Sequence, residues 1–163
     1  MDRSCSGSEM LQRAVEQYAD MVVRIAYQNL KNKADAEDIT QEVFIKLLQQ
    51  PDFNDDEHMK AWLIRVTINQ CRNFHKSFWQ RNTDPIARDW ETFDDEQQYL
   101  FDELWKLPPH YRNVLYLHFY EGYTLSEIAR ILNRNVNTVG SWLGRGKKKL
   151  KGLLIEGDGS HEY

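Results

Sequence analysis

Apolar side chains recur at three- and four-residue intervals along most of the chain, and this period dominates over any alternation of apolar with polar at every second residue. The predicted elements are therefore helices. A first helix is expected over about residues 8–30, with Val15, Tyr18, Val22, Ile25 and Ala26 along one side. The segment KNKAD interrupts it, and Asp35 is placed to cap a second helix with Asp38 at its third position. That helix is expected to run to about Gln50 and stop before Pro51. Residues 51–58 are polar and acidic, hence a loop. From about His58 the pattern resumes, with Met59, Trp62, Leu63 and Val66 at i, i+3, i+4 and i+7. Residues 82–97 hold Pro85 and many acids without periodicity. Beyond them come Leu104 and Leu107, a break at Pro108–Pro109, and a stripe of Tyr111, Val114, Leu115, His118 and Phe119. Glu121–Gly122 ends that stripe, since glycine suits the left-handed position after a helix. The fold class is all-α: two small helical domains, 8–82 and 98–155, joined by an acidic linker, 83–97.

The sharpest local pattern lies at 124–152. Thr124 or Ser126 can cap a short helix whose inner stripe is Leu125, Ile128, Ala129 and Leu132. After a break from Asn133 to Val136, Asn135 is a good cap for a second helix, with Val136, Val139, Leu143 and Leu150 facing inward. A small residue at 129 lets two helices cross closely, as a helix-turn-helix requires. The outward face then reads Asn137, Thr138, Ser141, Trp142 and Arg145, followed by Lys147, Lys148, Lys149 and Lys151. Polar side chains near the start of such a helix suit base edges in the major groove, and the cationic ones suit phosphates.

Charge changes the picture only when it is read locally. The formal net charge is −4. Yet residues 60–83 carry Lys60, Arg65, Arg72, Lys76 and Arg81 and no acid, while 104–155 hold nine basic side chains against Glu121 and Glu127. Between these blocks, 84–103 set eight acids against Arg88. Two separated basic surfaces fit a polyanion held at two places, because phosphate neutralisation needs positive charge locally and tolerates an acidic average. In the first block, Arg65, Asn69, Arg72 and Lys76 fall on one helical face, with Asn73 beside them and Phe74, His75, Phe78 and Trp79 interleaved. Cations beside aromatic rings can hold a single strand and stack its bases. Trp62, Phe74 and Phe78 have the burial habit of core residues instead. The helix at 35–50 has an inner stripe of Ile39, Val43 and Leu47, and a second face of Asp38, Gln41, Glu42 and Ile45. Acids mixed with an apolar residue suit a protein partner more than a polyanion.

Catalysis finds no footing. The five histidines are scattered, no serine or cysteine stands in a nucleophile pattern, and the glycines form no phosphate-cradling loop. Cys5 and Cys71 have no metal-ligand spacing, so neither metal nor cofactor is expected. No apolar run reaches the length of a membrane span, and the first residues lack a signal-peptide pattern, which places the expected location in the cytoplasm.

In the order of its parts the chain resembles a bacterial RNA polymerase sigma factor of the extracytoplasmic function (ECF) group of the sigma-70 family. DAEDITQEVFIKLL and AWLIRVTINQCRNFHK are similar to regions 2.1–2.4, and LPPHYRNVLYLHFYEGYTLSEIARILNRNVNTVGSWLGRGKKKL to region 4. The resemblance implies a region 2 domain that binds core polymerase and melts the −10 element, and a region 4 domain that reads the −35 element. It places Asp38, Gln41, Glu42 and Ile45 on the β′ clamp helices. Arg65, Asn69, Arg72, Asn73 and Lys76 would lie on the −10 strand, and Asn137, Thr138, Ser141, Trp142, Arg145 and Lys148 on −35 DNA. It further implies a contact with the β flap and an anti-sigma factor as partner, with no membrane insertion of this chain itself. One departure matters: Gly140 and Trp142 stand where the family commonly has cationic side chains. A competing reading is a stand-alone helix-turn-helix regulator whose N-terminal domain dimerises or senses a signal. Only a sigma factor needs the Asp38–Ile45 face.

Overall fold

The computed structural model describes residues 3–50, 53–81 and 102–161, with side chains over 7–50, 53–74 and 102–155. The linker expected at 83–97, with Trp90 and Phe93, lies outside the described residues. The chain divides into two compact units, 1–92 and 93–163.

In the first unit α1 (Arg3–Leu30), α2 (Lys33–Leu48) and α3 (Asp56–Arg81) each pack on the other two, α1 on α2 most extensively. Tyr18, Val22, Ile25 and Ala26 are buried as the pattern predicts, but Val15 is 38% exposed. Met21, Val23 and Tyr27 are buried beside the expected stripe, on a helix that packs against both α2 and α3. Gln28 and Asn29 are buried too, and the Asn29 amide donates to the Ile25 carbonyl at 2.8 Å. Apolar periodicity cannot flag such polar core positions, which depend on local hydrogen bonds for their burial.

The first turn is built differently from the expectation. Lys31 takes the left-handed conformation (φ 58°) and ends α1, so the next helix begins early. Asn32, rather than Asp35, is its cap, its side chain accepting the Asp35 N–H at 2.9 Å. Asp35 sits inside the first turn, where its charge suits the positive end of the helix dipole. α2 stops at Leu48, two residues short of Gln50. α3 likewise starts before His58, because Asp55 accepts the His58 N–H at 2.8 Å.

The second unit opens with a helical turn at 102–104, then α4 (Pro109–Leu115), with proline in the first turn where its missing N–H costs nothing. α4 continues into a wider π turn, Tyr116–Tyr120, in which the Glu121 N–H reaches the Tyr116 carbonyl at 3.2 Å. The extra residue in that turn breaks the i, i+4 register after Leu115. Phe119, expected inside, is 59% exposed for this reason. His118 is half-buried and hydrogen-bonded: its Nδ1–H donates to the Tyr123 carbonyl at 2.8 Å, closing the turn at Gly122, whose φ is +78°.

α5 (Leu125–Leu132) starts at a capping box. Thr124 Oγ1 accepts the Glu127 N–H at 3.2 Å, and the Glu127 carboxylate accepts the Thr124 N–H at 3.1 Å. It ends at left-handed Asn133, and Asn135 caps α6 (Val136–His161) by accepting the Asn137 N–H at 2.8 Å. Val139 and Leu143 are buried and Leu150 half-buried, but Val136 is 44% exposed rather than inward. Ile128, Ala129 and Ile131 form the buried side of α5. α6 crosses α4 at Gly146, which is buried. A Cβ there would lie 3.2 Å from Leu115 Cδ1 and 3.3 Å from Tyr111 Cβ, whereas one on Gly144 would meet nothing within 4 Å.

The two glycines should therefore respond oppositely to alanine. Gly144→Ala gains helix propensity, about 1 kcal/mol of stability. Gly146→Ala loses that gain to overpacking, which costs about 1–3 kcal/mol. Urea unfolding of both variants against wild type checks the ordering, and equal stabilisation would refute the crossing.

Candidate nucleic-acid and partner interfaces

On α2 the inward stripe, Ala36, Ile39, Val43 and Leu47, is buried against the rest of the first unit. This turns Asp38, Gln41 and Ile45 outward, with Glu42 half-buried at their edge. Ile45 is 56% exposed, and Leu48, one turn on, is 51% exposed. Leu48 was not among the expected site residues. Its signal is the 3–4–3 spacing from Asp38 through Gln41 and Ile45, obscured by Leu47 next to it. The strip is thus acidic and amide-bearing at one end and apolar at the other.

On α3 the buried positions Leu63, Ile64, Thr67, Ile68 and Cys71 are held inside, and the Thr67 hydroxyl donates back to the Leu63 carbonyl at 2.6 Å. Arg65, Asn69, Arg72 and Asn73 are all exposed. The first three share one strip by their i, i+4, i+7 spacing. Phe74 is half-buried, and the side chains of His75, Lys76, Phe78 and Trp79 lie outside the described residues. Trp62 is a core residue: it is buried, with the Phe53 ring edge-on at 5.6 Å. Phe53 also meets His58 at 5.2 Å, and His58 Nδ1 accepts the Asn54 N–H at 3.2 Å. The loop before α3 is organised by these contacts.

On α6 Asn137, Ser141, Arg145 and Lys148 are exposed and Thr138 is half-buried. Trp142 stands apart from them. It is half-buried, with its ring 4.9 Å from that of His110 on α4. Two lysines of the basic run are also held by aromatic faces. Lys147 Nζ lies 5.5 Å over Phe119, and Lys149 Nζ lies 5.1 Å over Tyr111. His110 is exposed overall, but partial desolvation of its ring and the neighbouring Lys149 charge hold its pKa below the usual histidine value. Hydrogen bonds from the backbone and side chain of Thr124 hold Glu127 below the usual carboxylate value.

These surfaces offer donors, acceptors and cations, the chemistry of recognition. Among the described residues no group of His, Cys, Asp and Glu is placed to hold a metal ion, and no helix is long and apolar enough to cross a membrane.

Comparison with known proteins defines the class. Residues 14–81 match the family described as sigma-70 region 2, and residues 98–150 match sigma-70, region 4. RNA polymerase sigma factor SigV of Bacillus subtilis is 30% identical over 83% of this chain and 85% of its own length. ECF RNA polymerase sigma factor SigE of Mycolicibacterium smegmatis is 29% identical over 87% of this chain, which spans 60% of that protein. The fold is that of two solved proteins. Sigma factor RpoE from Bartonella quintana, in complex with the anti-sigma factor NepR, gives a TM-score of 0.68 at 18% identity, over 88% of this chain and 96% of that one. CnrH, in complex with the cytosolic domain of CnrY, gives 0.70 at 22% identity, over 91% and 90%. The chain belongs to the sigma-70 family, in its ECF group. It is an alternative sigma factor, a transcription initiation factor and not an enzyme.

The different settings of Trp142 and Arg145 separate packing from recognition. Trp142→Ala is expected to lower stability by about 1–3 kcal/mol, less than a fully buried tryptophan would. Arg145→Ala, a surface change, should stay within about 0.5 kcal/mol of wild type and lower DNA affinity instead. Thermal unfolding paired with DNA titration reads both. A stable Trp142→Ala variant that loses DNA would return Trp142 to the recognition strip.

Proposed function

We propose that the chain divides its work as the region pattern implies. Residues 8–82 bind core polymerase and open the −10 element, 83–97 link, and 98–155 read the −35 element. The observation that carries this reading is the outward strip of α2, where Asp38, Gln41, Glu42 and Ile45, extended by Leu48, leave an acidic–apolar face uncovered within their own unit. A stand-alone regulator has no need of it, whereas a helical partner such as the β′ clamp helices would bury it. The exposed pair Phe119 and Tyr120 is a matching apolar surface in the second unit, and we assign it to the β flap.

Promoter contact falls to the two cationic surfaces. Asn69, with an amide that both donates and accepts, reads an unstacked base of the −10 strand, while Arg65, Arg72, Asn73 and Lys76 hold its backbone. Asn137, Thr138, Ser141 and Arg145 face the −35 major groove, with Lys148 on phosphate and Trp142 at the edge. Gly140 and Gly144 bring no side chain to the same stretch, so groove shape and phosphate contacts carry more of the affinity there. An anti-sigma factor that covers these faces is the expected regulator, supported by the complexes in which RpoE and CnrH were solved. The protein works in the cytoplasm with polymerase, and a membrane-bound anti-sigma factor would hold it at the membrane.

Two outcomes test the assignment. Asp38→Lys combined with Glu42→Lys should abolish co-purification with core polymerase while circular dichroism shows an unchanged helical fold. Normal polymerase binding by the folded double variant would remove this face from the interface. On −10 variants, Asn69→Ala should cost about 1–3 kcal/mol at one position and relax preference there. Arg72→Ala should weaken opening on all promoters alike, because a phosphate contact carries no sequence information. Permanganate footprinting separates the two patterns, and identical sequence-independent defects would make Asn69 a structural residue.

A further inference from the structure

The crossing of α4 and α6 holds a titratable group that neither interface uses. His110, exposed in the first turn of α4, sets its ring 4.9 Å from Trp142 at an angle of 50°, and meets Tyr111 edge-on at 4.4 Å. Lys149 reaches back over the Tyr111 ring. Trp142, Gly146 and Lys149 are spaced four and three residues apart, so one face of α6 makes the whole seam. Ser141, Arg145 and Lys148 lie on the adjoining face. Among the described residues, Lys149 is the charge set against His110. Of the other titratable groups nearby, Tyr111 has Lys149 over its ring, Arg112 on the same helix is buried, and His118 in the π turn is engaged with the Tyr123 carbonyl.

We propose that His110 is a proton-linked positioning residue for the recognition helix: DNA binding to the second unit takes up a proton at His110, so affinity for DNA rises as pH falls. This rests on the reading of α6 as the DNA-contacting helix. In the free chain the neutral imidazole packs on the indole, because Lys149 opposes a second positive charge beside it. Phosphates drawn to Lys148 and Lys149 offset that repulsion and stabilise the imidazolium. The imidazolium stays on the Trp142 face as a cation–π contact and drives Lys149 outward, toward phosphate. The sign is fixed by linkage. His110 has a lowered pKa in the free chain and a higher one in the complex, so affinity is greatest below both values. It falls as pH rises between them, by up to about tenfold per pH unit for one proton.

The test is the affinity of the full-length chain for a labelled mixed-sequence DNA duplex, at constant ionic strength, from about pH 5.5 to 8. Wild type should bind at least about threefold more tightly at the acid end. His110→Gln, which keeps a neutral polar group against Trp142, should match wild type at the alkaline end and show little pH dependence. Equal slopes in the two proteins, or a His110→Gln defect of the same size at every pH, would overturn the proposal. Should that variant fail to fold, NMR titration of the imidazoles in Lys149→Met gives an independent reading: the His110 pKa must rise relative to wild type, and no change overturns the mechanism. Wild type that binds no duplex at any pH would refute the DNA role of α6 and this inference together. Tight binding without a pH slope would refute the inference alone.

Discussion

A helix has one circumference, and in this protein it must serve both the core and a partner. With three helices among the described residues of the first unit, each packed against the other two, only a limited outward strip remains on α2 and on α3. What lies on that strip is fixed by what is buried behind it. Ile39, Val43 and Leu47 inside leave Asp38, Gln41 and Ile45 outside, and Ile64, Ile68 and Cys71 inside leave Arg65, Asn69 and Arg72 outside. The functional faces are the complement of the core, which is why stiff helical packing holds both in register.

The second unit meets the same constraint by closer approach. Tyr111 and Leu115 accept α6 at Gly146, where no side chain intervenes, so α6 lies near enough for Trp142 to reach His110 and for Lys149 to reach Tyr111. Helix caps set the other end of the same element. Asn133 ends α5 in the left-handed region, and Asn135 restarts the chain as α6 two residues later. The direction in which Ser141 and Arg145 face outward depends on both ends together.

Sigma factors bring no reacting groups, and the chemistry on the surface reflects that. The exposed side chains differ in the chemistry they offer: acids and aliphatics suit a protein partner, amides suit base edges, and cations suit phosphate. In the basic run of α6, however, proximity to aromatic rings divides lysines that the sequence presents as equals. All three of Lys147, Lys148 and Lys149 are exposed, but Lys147 and Lys149 lie over the ring faces of Phe119 and Tyr111.

The helical class, most of each helix stripe, a cap at Thr124 or Ser126, the cap at Asn135 and the outward strips of α2 and α3 were legible in the sequence, because these follow from residue spacing and local hydrogen bonding. Tertiary structure alone decided the rest. Asn32 displaced Asp35 as a cap because Lys31 turns left-handed directly after α1 and leaves Asn32 extended, with its side chain accepting the Asp35 N–H. The π turn put Phe119 outside, since the register of a stripe holds only while the helix keeps its period. Val15 and Val136 are exposed and Gln28 is buried against the expectation from apolar spacing. In sequence Gly146 carries no reading of its own, and Trp142 belongs to the outward face of the second helix. Only the crossing with α4 shows the first as the point of contact and the second as a ring held by histidine, because periodicity encodes which side of a helix faces inward but not what meets it there.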